Sequence, residues 1–184
     1  MSPFISPNHR LEEFPRGLSL EDKIAVFADR VWGWQLNIAE QVARDIKDSG
    51  FAVLSIVLSY FEMIAKYCAG YIDIYESEHY FKEGVKLVFP ELSSGEGQEA
   101  INALLLGLYR QVRCGMYHNA LTHGTVELSG DIGTPIEFVS DQGWIRINPH
   151  LLVKAIKNHF YAYLNGTLKD PDRVKDDVTW RHVQ

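Results

Sequence analysis

Arg113 and His118 have four residues between them, and nowhere else in the chain does an arginine precede a histidine with four to six residues intervening. Cleavage of RNA without a metal requires a base that works near neutral pH to take the 2′-hydroxyl proton, and a fixed cation to hold the phosphate as negative charge develops. Histidine and arginine are suited to those two tasks. The same stretch, LYRQVRCGMYHNALTH, also carries Arg110 and His123. It has a structural reading too, because cations late in a helix are favoured by the macrodipole by roughly 0.3 to 1 kcal/mol each.

On an ideal α-helix, five positions amount to about 500°, which leaves the two side chains roughly 140° apart and separated by roughly 7.5 Å of rise. They do not share a stripe. Gly115 lies between them and marks either a local bend or the close approach of another backbone. Alternatively, antiparallel helices from two copies of the chain bring two Arg–His sets into one cleft. Arg110 is eight positions from His118, close to the same face, and is a candidate second phosphate contact. Tyr117 and Asn119 flank His118 as supporting groups, and Tyr117 and Tyr109 have the rings to stack a base or to fill a core. Glu62 falls among Phe61, Met63 and Ile64, where a carboxylate needs either solvent or a cation; Arg113 and Arg110 are the candidate partners.

These residues depend on the elements that carry them. Residues 1–18 hold Pro3, Pro7 and Pro15 and read as an irregular arm that lies on the domain or stays mobile. Ser19 caps a first helix, whose apolar series Ile24, Phe27, Val31, Trp34, Ile38, Val42, Ile46 runs to about Asp48. A central second helix follows, with Phe51, Leu54, Val57, Leu58, Phe61, Ala65, Cys68 and Ile72. Residues 76–97, rich in Gly and aromatics, read as a loop, with or without one short helix. Ser93 and Glu96 have capping-box spacing and predict the start of a third helix through Ile101, Leu104, Leu105, Leu108, Val112 and Met116. Between residues 124 and 147 the period becomes two, predicting a hairpin or a three-stranded meander. Asn148-Pro149 opens a fourth helix with Leu152, Ile156, Phe160 and Tyr163, stopped at Asn165-Gly166, and residues 169–184 read as a charged tail.

The expected fold is therefore mainly α, a domain of residues 19–168 built on four principal helices with a small β insertion before the last. Of 184 residues, 46% are apolar and 23% charged, enough for a sizeable core. A net charge of −6 argues against wrapping nucleic acid by an overall basic surface, so any contact with an anionic polymer must be local. Cys68 and Cys114 lack CxxC spacing, and the histidines lack the spacing of a zinc site, so no metal or other cofactor is expected. The N-terminus lacks the pattern of a secretion signal, the apolar run at 51–61 is shorter than a span, and a cytoplasmic protein with no membrane partner is expected. No Gly-rich phosphate loop follows a strand, which argues against a P-loop or dinucleotide fold.

RCGMYH, residues 113–118, resembles the Arg, four to six residues, His motif that the HEPN superfamily carries late in a helix. SYFEMIAKY, residues 59–67, is similar to that family's Glu-bearing central helix, and the strand insertion followed by INPHLLVKAI fits the same pattern over roughly residues 19–165. The resemblance implies a helical bundle acting as a metal-independent endoribonuclease of prokaryotic defence, toxin–antitoxin or stress systems. It implies a homodimer whose composite cleft holds both motifs, RNA as substrate, and an antitoxin or other protein as possible partner. His118 is then the general base or acid and Arg113 the phosphate ligand. The chain departs from the pattern at Cys114, where active members usually carry a stronger hydrogen-bonding residue. The superfamily also includes non-catalytic modules that bind a nucleotide or another protein.

Overall fold

The computed structural model describes residues 2–69, 76–93, 97–122 and 124–169. The fold is mainly α with two small sheets. Ser19 caps α1 (Leu20–Val31) through a complete capping box: its hydroxyl accepts from the Asp22 amide at 3.1 Å, and the Asp22 carboxylate accepts from the Ser19 amide at 2.9 Å. A wide π turn at Trp32–Leu36 leads directly into α2 (Asn37–Asp45), so the first predicted helix is one rod with an insertion in its ladder. Asp48, in a left-handed conformation, turns the chain into α3 (Gly50–Ala69).

Helix α3 is the centre of the molecule. Val53, Leu54, Val57, Leu58, Phe61 and Ile64 are buried against α2, α4 (Ser77–Val88) and α7 (Pro149–Lys169). With 20 residues and a mean hydropathy of 1.5, α3 is long and apolar enough to cross a membrane, but here that character fills the core. Tyr60, fully buried, makes a 2.9 Å hydrogen bond with His159 of α7. Burial pushes the Tyr60 hydroxyl well above its ordinary range and holds His159 below the ordinary histidine value, so both groups are neutral.

Several expectations are corrected. The N-terminal arm lies on the domain, one of its two expected dispositions, but it is not irregular throughout: β1 (Phe4–Ser6) and β2 (His9–Arg10) form a hairpin laid on α1. Asp29 accepts from the Asn8 amide and side chain at 2.8 Å each, and Arg30 donates to the Ile5 carbonyl. Residues 77–88 form a twelve-residue helix, α4, longer than the one short helix allowed within the expected loop, because Gly84 is a contact surface and not a breaker. The third helix begins at Gln98 with Gly97 as its N-cap, so Ser93 does not cap it; Ser93 instead closes a short 3-10 turn at Pro90–Leu92. Glu96 and Ile72 lie outside the described residues.

The third helix is α5 (Gln98–Gly107), a second π turn at Leu108–Cys114, and α6 (Gly115–Asn119). Of the two expectations for the strands that follow, the hairpin is realised and the meander is not. β3 (Val126–Leu128) runs parallel to β5 (Trp144–Ile147), and β4 (Ile136–Val139) pairs antiparallel on the other side, giving the order β3-β5-β4. Ile145 and Ile147 point into the core, while Arg146 bridges Glu127 at 3.0 Å and Glu137 at 2.9 Å across the three strands. Asn148 caps α7 by accepting from the amides of His150 and Leu151. α7 continues to Lys169 and does not stop at Asn165-Gly166: helix hydrogen bonding overrides the local turn preference there. The expected tail beyond Lys169 lies outside the described residues.

Candidate functional site

Helix three carries Arg113 at the end of its wide turn, facing α3. Its guanidinium Nη2 lies 3.3 Å from Glu62 Oε2, so the pairing offered as an option by the sequence is the one formed. Lys66 donates to Glu62 Oε1 at 2.7 Å, as expected one turn along α3, and the Ser77 hydroxyl, at the start of α4, donates to Oε2 at 2.8 Å. Three helices therefore meet at one carboxylate. Arg113 and Glu62 are only 25% and 18% exposed, a setting where a lone charge is costly and a shared one is held firmly. Burial pushes the Glu62 carboxyl up, but hydrogen bonds from Lys66 and Ser77, with the charges of Lys66 and Arg113, outweigh it and leave the group below the ordinary glutamate range.

The arginine is also flanked along its own helix. Its guanidinium carbon lies 5.7 Å from the Tyr109 ring centre and 5.0 Å from that of Tyr117, one turn before and one turn after. The Tyr117 hydroxyl reaches the Ser55 carbonyl at 3.4 Å, tying α6 to α3, although the ring is half exposed. Arg113 is thus a preoriented cation with one of its nitrogens on a carboxylate among the described residues.

His118 is exposed beyond Tyr117, and among the described residues it makes no hydrogen bond or ion pair. The structure does not join its ring to Arg113 within one chain; the two lie on different stripes, as the helical angle predicts. Asn119, the last residue of α6, is exposed as well. Arg110 is 65% exposed and reaches toward Glu78 of α4 at 3.9 Å. His123 lies outside the described residues.

Gly115 has a definite purpose. A Cβ there would stand 2.7 Å from the Leu121 carbonyl oxygen, since Ala120 takes a left-handed conformation (φ 53°) and folds the chain back over the helix end. Of the two expectations for Gly115, close backbone approach is the one realised. It holds Leu121, 60% exposed, against Gly115, whose carbonyl accepts from the Leu121 amide.

A second group of suggestive residue types was not foreseen. Ser6, His9 and Asp29 cluster under the hairpin, with Ser6 Oγ 2.8 Å and Asp29 Oδ2 3.3 Å from the same His9 Nδ1. A nucleophile relay needs the two partners on opposite ring nitrogens, and Ser6 is fully buried, so the geometry of this cluster is that of a fastening for the hairpin. Among the described residues no three His, Cys, Asp or Glu side chains gather as metal ligands.

Compared with protein-family models, curated proteins and solved structures, the chain has no significant match. The functional reading therefore rests on these residues.

The Glu62 junction makes a pH prediction. Its folded value lies below that of an unfolded glutamate, so its contribution to stability is present above about pH 4.5 and is lost as pH falls through the folded value. Glu62→Gln should lower the melting temperature at pH 7, because Lys66 and Arg113 lose their anion, and should flatten the decline below pH 4.5. Melting curves from pH 3 to 7 check it; parallel wild-type and variant curves would contradict it.

Proposed function

We propose that this chain is a HEPN-like, RNA-directed protein, working as a metal-independent endoribonuclease of a prokaryotic defence, toxin–antitoxin or stress system in the cytoplasm. The observation that carries the reading is Arg113: a guanidinium oriented by Glu62 and by the Tyr109 and Tyr117 rings, at the end of a helix whose next turn presents His118 to solvent. In this reading Arg113 binds the scissile phosphate through its free donors, and His118 moves the proton between the 2′-hydroxyl and the leaving oxygen. Tyr117 and Asn119 border the scissile nucleotide, and Arg110, on its flexible exposed stem, contacts a neighbouring phosphate. Because His118 and Arg113 lie on different stripes, the working cleft is formed by two copies of the chain. Exposed Tyr117 and Leu121 beside the motif supply apolar surface for that pairing.

A non-catalytic binding module, for a nucleotide, an antitoxin or another protein, is the second reading. It is favoured by Cys114 next to the motif arginine and by the lack of a described partner to orient the His118 ring. One experiment separates them. Incubated with total RNA in EDTA, the protein should cleave, with a rate that changes between about pH 5 and 8 where histidines change charge, and it should scatter light as a dimer at micromolar concentration. Activity lost in EDTA and restored by magnesium would sink the mechanism; a monomer that cleaves would sink the composite cleft.

A further inference from the structure

Helices α2 and α7 leave a hollow of about 370 Å³ between them, lined by none of the residues gathered around Arg113. From α7 come His150, Lys154 and Lys157, spaced four and three apart and so on one stripe, followed by Asn158; from α2 come Glu40, Ala43 and Arg44. Three fixed cations face one carboxylate in a chain whose net charge is −6. The carboxylate is already engaged: Lys157 Nζ lies 2.8 and 2.9 Å from the two Glu40 oxygens, with the same ammonium 5.0 Å from the Trp32 ring centre. That bridge fixes the spacing of the two walls. Lys154 makes no hydrogen bond or ion pair among the described residues. Among the described residues Arg44 forms its ion pair with its exposed neighbour Asp45, with the charge of Glu40 also nearby, and an exposed association of this kind is worth little against a competing anion.

A second hollow of about 670 Å³ adjoins the first, sharing Ala43, Arg44 and His150 as their common wall. Its character differs. Ile46, Phe51, Leu128 and Pro149 give it apolar sides beside the polar Asp45, Lys47, Asp48 and Ser49, and Phe51, the second residue of the most apolar helix, is 40% exposed. A hollow with three cations joined to a mixed one with an exposed aromatic wall, each within the size range of small-molecule sites, suits an anionic head on an apolar body.

We propose that this bipartite trough binds a small phosphorylated molecule with a planar apolar body, the phosphate between Arg44, Lys154 and Lys157 and the body against Phe51 and Leu128. The amides at the α7 N-terminus do not supply the recognition, since Asn148 occupies those of His150 and Leu151. The side chains do.

Calorimetric titration of the full chain with 1-naphthyl phosphate, inorganic phosphate, 1-naphthol and a short single-stranded RNA tests the proposal. Naphthyl phosphate should bind about tenfold or more tightly than either half alone, which corresponds to about 1.4 kcal/mol or more. Lys154→Glu should abolish binding of both phosphates, and Phe51→Ala should weaken naphthyl phosphate alone; both positions are exposed, so wild-type melting is expected of each. Arg113→Lys should leave the affinities for naphthyl phosphate, inorganic phosphate and naphthol unchanged and alter only that for RNA, so the result is separable from the ribonuclease reading. No binding of naphthyl phosphate at millimolar concentration, binding indifferent to Lys154→Glu, or binding of the RNA alone would each overturn the proposal.

Discussion

Gly84→Ala is expected to be the most damaging single-methyl change in this protein. A Cβ at residue 84 would fall inside the van der Waals envelope of the Phe61 carbonyl group, and the obstructing atoms are backbone atoms of α3, which cannot rotate away. Helix α4 would have to move off α3, loosening Phe81 and Val85 from the core they share with Phe61. Overpacking of this kind costs about 3 kcal/mol, at the upper end of the usual range, and for a chain of this size a melting temperature falls by roughly 2 to 4 °C per kcal/mol. A loss of about 6 to 12 °C is therefore predicted. Thermal melting decides it, with Gly124→Ala as comparison, because nothing stands near a Cβ there. Equal melting of the two variants would mean that α3 and α4 are not in the close contact described.

The second large effect is expected on RNA. His118→Ala should reduce cleavage about 10²- to 10⁴-fold, the usual contribution of a positioned acid or base. Arg113→Lys should reduce it severely as well, because a lysine retains the charge but not the planar fork that can hold Glu62 and a phosphate together. The fold should tolerate both: His118 is exposed, and a lysine at 113 keeps a cation near Glu62. If Arg113 served only to complement the helix end, lysine would replace it with little loss, since the macrodipole responds to charge. Cleavage or RNA binding measured beside thermal melting for wild type and the two variants distinguishes these outcomes. Variants that match wild type in both assays would remove Arg113 and His118 from the site.

The parts legible in the sequence are those governed by local chemistry. Ser19 with Asp22, and Asn148 before Pro149, are caps whose side chains satisfy nearby amides, and both were readable. The apolar series of the long helices were readable too, because burial on one stripe repeats every three to four residues. What escaped depends on distant partners. Gly84 looked like punctuation and is instead the contact face of α4; the π turns at Trp32–Leu36 and Leu108–Cys114 have no local signature and shift the residues after them. Glu62 was recognisable as a carboxylate needing a cation, but Lys66 and Ser77 as its further partners required α3, α4 and the third helix to be placed together. The N-terminal hairpin depends on Asp29 and Arg30, some twenty or more residues along the chain.

The strand order β3-β5-β4 has a consequence for the time at which the sheet exists. The strand in the middle is the last to be synthesised, so when β3 leaves the ribosome its hydrogen-bonding partner has not yet been made. The β4–β5 hairpin, closed by a short local turn, is the fast event, and only its completion creates the edge that Val126 and Leu128 join in parallel. Until then the segment joining α6 to β3 has no seat in the sheet. The stretch just after the Arg113–His118 helix is thus the part of this region that settles late in folding, and a nascent chain ending before residue 144 cannot complete it.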